Sequence, residues 1–169
     1  MGVTIHFEGR LRESRALGRV VAAASRFAAE AGWRSEAISE SDAKLSRVRG
    51  QEPWDYRGPT EGLTLYPHKW CEPVRLEFDR DGYLQEFVKT QYAPATVHVR
   101  VVELLRLLAG EFDRLEVDDE GEYWDTSDVA ALDGHIDACN RALADILRTT
   151  RGARGPVRLP SGRIVDYMS

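Results

Sequence analysis

Strand patterns cluster between residues 62 and 92, and this clustering limits the folds open to the chain. Apolar residues alternate with charged ones from Val74 to Phe78, and the turn Asp79-Arg80-Asp81-Gly82 follows. Gly82 can take the positive φ angle that such a turn needs. A return strand from Tyr83 to Tyr92 completes the pattern. Successive strands joined by short turns favour an antiparallel sheet over strict alternation of strand and helix.

Three other segments carry the period of amphipathic helices. The first covers residues 15–31, with Ser14 as its expected N-cap and Gly32 as its C-terminal stop. The second runs from Pro94 to Gly110. The third follows a predicted cap at Asp125 and contains apolar residues at intervals of three and four up to Leu147.

The segment from residue 34 to residue 61 has the weakest pattern. Ala43, Leu45 and Val48 predict one short strand, and a long loop from Gly50 to Gly62 follows it. Loops of this length are uncommon in compact domains and often serve function. The predicted order, with an opening strand at residues 3–7, is β-α-β-β-β-β-α-β-α plus a C-terminal hairpin. This order predicts an α+β fold, a mainly antiparallel sheet with helices packed on one face.

Length and composition predict one globular domain. The 169 residues suit a single α+β domain over residues 1–148, with residues 149–169 as a linker and an appended hairpin. A net charge of −5 disfavours nucleic acid and anionic membranes as partners. The chain has no apolar run long enough for a membrane span. Its two cysteines predict reduced thiols in a cytoplasmic protein, and its excess of arginine over lysine is typical of a GC-rich bacterial genome.

The most unusual stretch lies at residues 117–128, and we name residues 118–125 the acidic loop. It combines carboxylates with two adjacent aromatic side chains between a predicted strand and a predicted helix, where loops present side chains to partners. We expect it to bind a basic surface of another protein, helped by the aromatic residues of the long loop. The predicted partner-binding residues are Asp118, Asp119, Glu120, Glu122, Tyr123, Trp124, Trp54 and Tyr56.

Two other interpretations of these residues remain open. Carboxylates beside a helix N-terminus are favoured by the helix dipole, which explains Asp125 and Asp128 without any partner. A metal site could use His68, Cys71 and His98, but an H-x-x-C pair with a distant histidine leaves the geometry undetermined. The chain has no phosphate-binding, dinucleotide-binding, metalloprotease or nucleophile-elbow motif. We therefore expect no cofactor and favour a non-catalytic protein.

Three blocks carry a resemblance to a known group of proteins. They are Y-P-H-K-W-C-E-P-V-R-L-E-F-D at residues 66–79, E-F-V-K-T-Q-Y-A-P at residues 86–94 and D-E-G-E-Y-W-D-T at residues 119–126. Together they resemble a family of small, uncharacterised bacterial α+β proteins. The resemblance implies a bacterial cytoplasmic protein and assigns no catalytic residue.

Three functional hypotheses follow from the sequence. The first is a protein-interaction module, such as an inhibitor, an immunity-type protein or an accessory subunit, that uses the acidic loop. The second is a small metal-assisted hydrolase. The third is a structural protein that forms homo-oligomers when its arginine-rich C-terminal tail docks on the acidic loop of a neighbouring copy.

Overall fold

The computed structural model describes residues 2–169 and has an α+β fold. A 3₁₀ turn, Ala109–Glu111, follows the second of its helices. The strands are β1 (Thr4–Leu11), β2 (Arg34–Leu45), β3 (Val48–Arg49), β4 (Glu52–Pro53), β5 (Tyr56–Tyr66), β6 (Val74–Phe78), β7 (Tyr83–Lys89), β8 (Phe112–Asp119), β9 (Val157–Arg158) and β10 (Ile164–Val165). The helices are α1 (Ala16–Ala31), α2 (Ala95–Leu108), α3 (Tyr123–Thr126) and α4 (Val129–Thr149).

Two three-stranded antiparallel sheets carry the fold. Their strand orders are β2-β5-β6 and β7-β1-β8, and the turn between β6 and β7 connects them. The hairpin turn has Gly82 at φ 72°, as the sequence predicts. In β1, Ile5 and Phe7 are buried, whereas His6 and Arg10 on the other face are exposed. The β7-β1-β8 sheet therefore has one face in the core and one open face.

The helices lie on the buried face of the sheet. Val20, Ala24 and Phe27 of α1 and the leucines of α2 join the strand residues in one hydrophobic cluster. α1 contacts β5 and α2, and α2 contacts α4. Burial of this continuous apolar surface is the main favourable term in the folding of such a domain. No helix within residues 2–169 is long and apolar enough to cross a membrane.

The predicted helices are confirmed in place, although two predicted caps are wrong. α1 ends at Gly32, which takes a left-handed conformation (φ 74°) as expected. Ser14 does not cap α1, whose N-cap position is Arg15 without a side-chain hydrogen bond. The last long helix is capped by Asp128, which accepts a hydrogen bond from the N–H of Ala131. Asp125, the predicted cap, lies instead inside α3.

Six strands, rather than the predicted four, lie between α1 and α2. The segment from Arg34 to Leu45 forms one long edge strand that is exposed along most of its length. The predicted loop at residues 50–62 contains β4 and the first half of β5. β5 pairs with β2 through almost its whole length, so the conformation of both strands comes from their mutual pairing.

The C-terminal segment packs on its own chain through Glu72, a carboxylate that is only 2% exposed. Glu72 accepts hydrogen bonds from the backbone N–H groups of Ile164 (2.8 Å) and Lys89 (2.9 Å). Arg163 adds an ion pair to the same carboxylate at 3.2 Å and donates to Glu86 at 3.1 Å. The tail hairpin is therefore fastened to the β7 region of its own chain.

Candidate functional site

The acidic loop continues from β8 and turns into α3. β8 pairs antiparallel with β1, and the register places Asp118 opposite His6. Side chains alternate between the two faces of a strand. Asp118 is accordingly exposed on the open face, and Asp119 is buried on the helix side. The loop divides its carboxylates between the interior and the surface.

Asp119 anchors the acidic loop from inside. Its carboxylate lies 3.0 Å from Nε2 of His98 and accepts hydrogen bonds from the N–H groups of Gly121 and Trp124, both at 2.8 Å. Burial raises the pKa of the Asp119 carboxyl, but His98 and the two N–H donors outweigh burial and leave this pKa below its usual value. The other ring nitrogen of His98 lies 2.7 Å from the hydroxyl of Thr90.

Thr90, His98 and Asp119 thus form a buried hydroxyl–imidazole–carboxylate chain. The same three groups make up the triads of nucleophilic hydrolases. Here Thr90 and His98 are fully buried and Asp119 nearly so. No substrate can approach the Thr90 hydroxyl in this conformation. The three hydrogen-bonded side chains instead hold the end of β7, helix α2 and the acidic loop together.

The two aromatic residues of the acidic loop pack on their own chain. Tyr123 is only 9% exposed and Trp124 is half-buried. The guanidinium of Arg106 lies 5.4 Å from the Tyr123 ring centre and 5.8 Å from that of Trp124, and it donates to both backbone carbonyl groups. Asp119 and Tyr123, two of the predicted partner-binding residues, therefore serve the interior, and Trp124 offers a partner only part of its ring.

The remaining predicted carboxylates of the loop are exposed, and we name Asp118, Glu120 and Glu122 the acidic strip. Within residues 2–169, none of the three pairs with a lysine or an arginine. Glu120 lies 3.9 Å from His6, and Glu122 lies 2.9 Å from His135. The strip therefore keeps most of its negative charge whenever these histidines are neutral.

Trp54 and Tyr56 lie away from the acidic loop, near the β7 edge of the sheet rather than the β8 edge. Both surround the buried guanidinium of Arg47, at 5.5 Å and 5.2 Å from their ring centres. Trp54 also packs edge-on against Tyr83 of β7 at 5.3 Å, and β1 separates β7 from β8. Arg47 forms an ion pair with Asp79 at 2.7 Å. The two rings enclose an internal cation, and the structure does not place them beside the acidic loop.

The three weak metal candidates are not assembled into a site. No group of three or more His, Cys, Asp or Glu side chains within residues 2–169 has an arrangement suited to a metal ion. His98 is engaged with Thr90 and Asp119. His68 accepts a hydrogen bond from the N–H of Trp70. Burial raises the pKa of the Cys71 thiol to about 12, which disfavours the thiolate that binds metals.

A broad groove of about 1500 Å³ crosses the open face of the sheet. Its floor consists of the outward residues of three neighbouring strands, and the register aligns His6 with both Phe87 and Asp118. Its walls include Val48 of β3 and Ser161 of the C-terminal segment. Small-molecule pockets usually measure about 300–1000 Å³. An open groove of this breadth can seat an extended segment of another protein.

Most cations of this groove are already engaged within the chain. Arg47 pairs with Asp79, Arg75 donates to the Ser161 carbonyl, Arg114 contacts Glu116, and Arg163 binds Glu72 and Glu86. Lys44 is the remaining lysine or arginine in the lining. Arg47, Arg114 and Arg163 are thus paired with carboxylates, whereas Arg75, which donates only to a neutral carbonyl, and Lys44 keep their positive charge.

The carboxylates of the groove are less completely neutralised. Glu8, Asp55, Glu77 and Asp118 have no ion pair with a lysine, arginine or histidine side chain among the residues described, although Asp55 accepts from the backbone N–H of Arg47 at 3.2 Å. Glu8 accepts from the Tyr83 hydroxyl and from Gln85, and Glu77 accepts from the Thr60 hydroxyl at 2.8 Å. All of these donors are uncharged. Four unpaired carboxylates therefore share the groove with two unpaired cations, Lys44 and Arg75, which leaves a small excess of negative charge.

Phe87, Glu8 and Glu77 are groove residues that sequence reasoning did not select. Each lies on the outward side of a strand whose alternation is visible in the sequence. Only the pairing register shows that strands separated by about eighty residues put these side chains on one surface.

Comparisons with known proteins add no assignment to this geometry. The chain matches no protein-family model, no curated protein and no solved structure.

Proposed function

We propose that this protein is a non-catalytic protein-interaction module that binds a basic surface of another protein, in the manner of an inhibitor, an immunity-type protein or an accessory subunit. The observation that carries the proposal is the exposure of the acidic strip without a lysine or arginine partner. Complementary charge steers association and disfavours wrong partners.

The position of the acidic strip supports this role. Asp118 ends the open face of β8, and Glu120 and Glu122 follow it around the acidic loop. Asp119 ties this loop to the core, which holds the neighbouring carboxylates in fixed positions. A pre-ordered surface loses less conformational entropy on binding than a mobile one.

A charge-reversal experiment tests the proposal. The probe is a fluorescently labelled peptide in which lysine alternates with serine, and its affinity is measured by anisotropy at about 0.05 M and 0.15 M salt. The test variant is Asp118→Lys with Glu122→Lys. The control is Glu30→Lys with Glu40→Lys, because Glu30 and Glu40 are also exposed and have no ion pair among residues 2–169. Each replacement changes −1 to +1, so both variants move the net charge from −5 to −1.

The proposal expects the test variant to lose about tenfold in affinity, since two attractive contacts become repulsive. The control variant should lose less than about threefold, through net charge alone. A glutamate–serine peptide should not bind the wild-type protein. Equal losses in the two variants would mean that the lysine peptide follows net charge only, and the proposed surface would then be wrong.

A further inference from the structure

We propose that the partner is seated in the groove on the open sheet face, as an extended lysine- or arginine-rich segment that places an apolar side chain on Phe87. This inference rests on the proposed function and specifies where the partner binds and what its chemistry is. Both follow from the apolar and charged groups that line the groove.

Phe87 is a fixed apolar platform on the groove floor. Its side chain is 41% exposed, although it lies in the middle of a paired strand. The His6 ring packs beside it at 5.7 Å, and the Arg163 guanidinium lies 3.9 Å from its ring centre. Arg163 is itself held by Glu72 and Glu86. An exposed aromatic ring that is locked on both sides suits an anchor residue of a partner.

Val48 supplies a second apolar contact on the groove wall. Its side chain is 56% exposed. Its backbone is fixed to the floor because the Gln85 side chain accepts from the Val48 N–H at 2.9 Å and donates to the Val48 carbonyl at 2.7 Å. Gln85 also donates to Glu8 at 3.0 Å. The wall and the floor are thereby joined before any partner binds, which lowers the entropic cost of association.

The charges of the groove select the occupant. Glu8, Glu77 and Asp118 flank the apolar platform and lack a cationic partner among residues 2–169. Arg47, Arg114 and Arg163 are paired with carboxylates of the same chain, and Lys44 and Arg75 are the lining cations without such a partner. The unpaired carboxylates of the groove therefore outnumber its unpaired cations. Nucleic acid would meet uncompensated carboxylates here, and so would an acidic peptide. A cationic segment with an apolar residue matches both features, and its charges would meet the carboxylates on either side of Phe87.

Two labelled peptides distinguish binding at Phe87 in the groove from general charge attraction. In both, lysine alternates with a second residue. The first peptide has phenylalanine at its centre, and the second has alanine at that position. The test variant is Phe87→Ala. The matched control is Leu107→Ala, which removes an exposed apolar side chain (57%, against 41% for Phe87) from α2. Phe87→Leu retains an apolar contact, and thermal unfolding of each variant verifies its fold.

We expect Phe87→Ala to weaken the phenylalanine peptide about tenfold and the alanine peptide by less than about twofold, with an unchanged salt dependence. Phe87→Leu should stay within about threefold of wild type, and Leu107→Ala should change neither affinity. If Phe87→Ala leaves the phenylalanine peptide unaffected while Asp118→Lys with Glu122→Lys weakens it, the partner does not rest on Phe87, and this inference fails while the proposed function stands. If neither change has an effect, both proposals fail.

Discussion

Replacement of Glu72 by alanine should strongly destabilise the protein. The side chain is almost fully buried, and it is the acceptor for the N–H groups of Ile164 and Lys89 and for Arg163. Alanine leaves two backbone donors without their acceptor. It also frees the C-terminal segment from β7.

The expected cost is worked out from these contacts. A buried donor without an acceptor costs about 1–3 kcal/mol, so the two N–H groups together give roughly 2–6 kcal/mol. Water that enters beside the partly exposed Arg163 offsets part of this loss. We expect Glu72→Ala to lower the free energy of unfolding by about 3 kcal/mol. Urea unfolding followed by circular dichroism and by tryptophan fluorescence measures this change.

Glu86→Ala is the matched control. Glu86 contacts the same Arg163 guanidinium at 3.1 Å, but it accepts no backbone hydrogen bond from a distant segment. Burial raises the pKa of the Glu86 carboxyl, so its removal also relieves a desolvation cost. Its replacement should cost less than about 1 kcal/mol. A Glu72→Ala protein that unfolds within about 1 kcal/mol of wild type would refute the role of Glu72 as the fastener of the tail.

Three further variants test other parts of the structure. The lowered pKa of Asp119 contributes stability that is present above the unfolded-state pKa of about 3.9 and is lost as the pH falls through the folded-state pKa. Asp119→Asn should therefore destabilise the protein at pH 7 and flatten its acid-unfolding curve, as measured by circular dichroism. Gly62→Ala should reduce the soluble yield or cost more than about 3 kcal/mol, because φ is 153° and the new Cβ would lie 1.7 Å from the Leu76 carbonyl oxygen. Among residues 2–169 the buried indole nitrogen of Trp54 has no hydrogen-bond partner, so Trp54→Phe should stay within about 1 kcal/mol of wild type in urea unfolding, whereas Trp54→Ala should cost about 3 kcal/mol.

The elements with strong internal patterns could be predicted from the sequence. α1, α2 and α4 each bury one stripe of apolar residues, so the period of the sequence reflects the packing. The hairpin turn at Gly82 and the helix stop at Gly32 were also predictable, because both positions use a positive φ angle that glycine adopts easily.

β2 could not be predicted, because its structure depends on pairing and not on burial. Most of its residues are exposed on both faces, so the sequence from Arg34 to Leu45 lacks the alternation of a half-buried strand. Its partner β5 supplies the hydrogen bonds. Charged residues such as Glu36, Glu40 and Asp42 lie along this edge, which is a common protection against edge-to-edge association.

The acidic loop could be located from its composition, but the roles of its residues could not. Alternation at the last residue of β8 sends Asp119 inward to His98, a residue twenty-one positions earlier. Tyr123 is buried because α3 turns it under Arg106. The groove was not predictable because its floor combines β1, β7 and β8, and only the strand register brings Phe87, His6 and Asp118 into one row.

Nuclear magnetic resonance mapping tests the central claim most directly. The lysine peptide with a central phenylalanine is titrated into isotopically labelled protein, and backbone amide shifts are followed. The account predicts that the largest changes fall on residues 6–8, 85–87 and 116–122, which form the groove floor and the acidic loop. Changes centred on the helical face, or spread evenly over exposed acids such as Glu30 and Glu40, would contradict it.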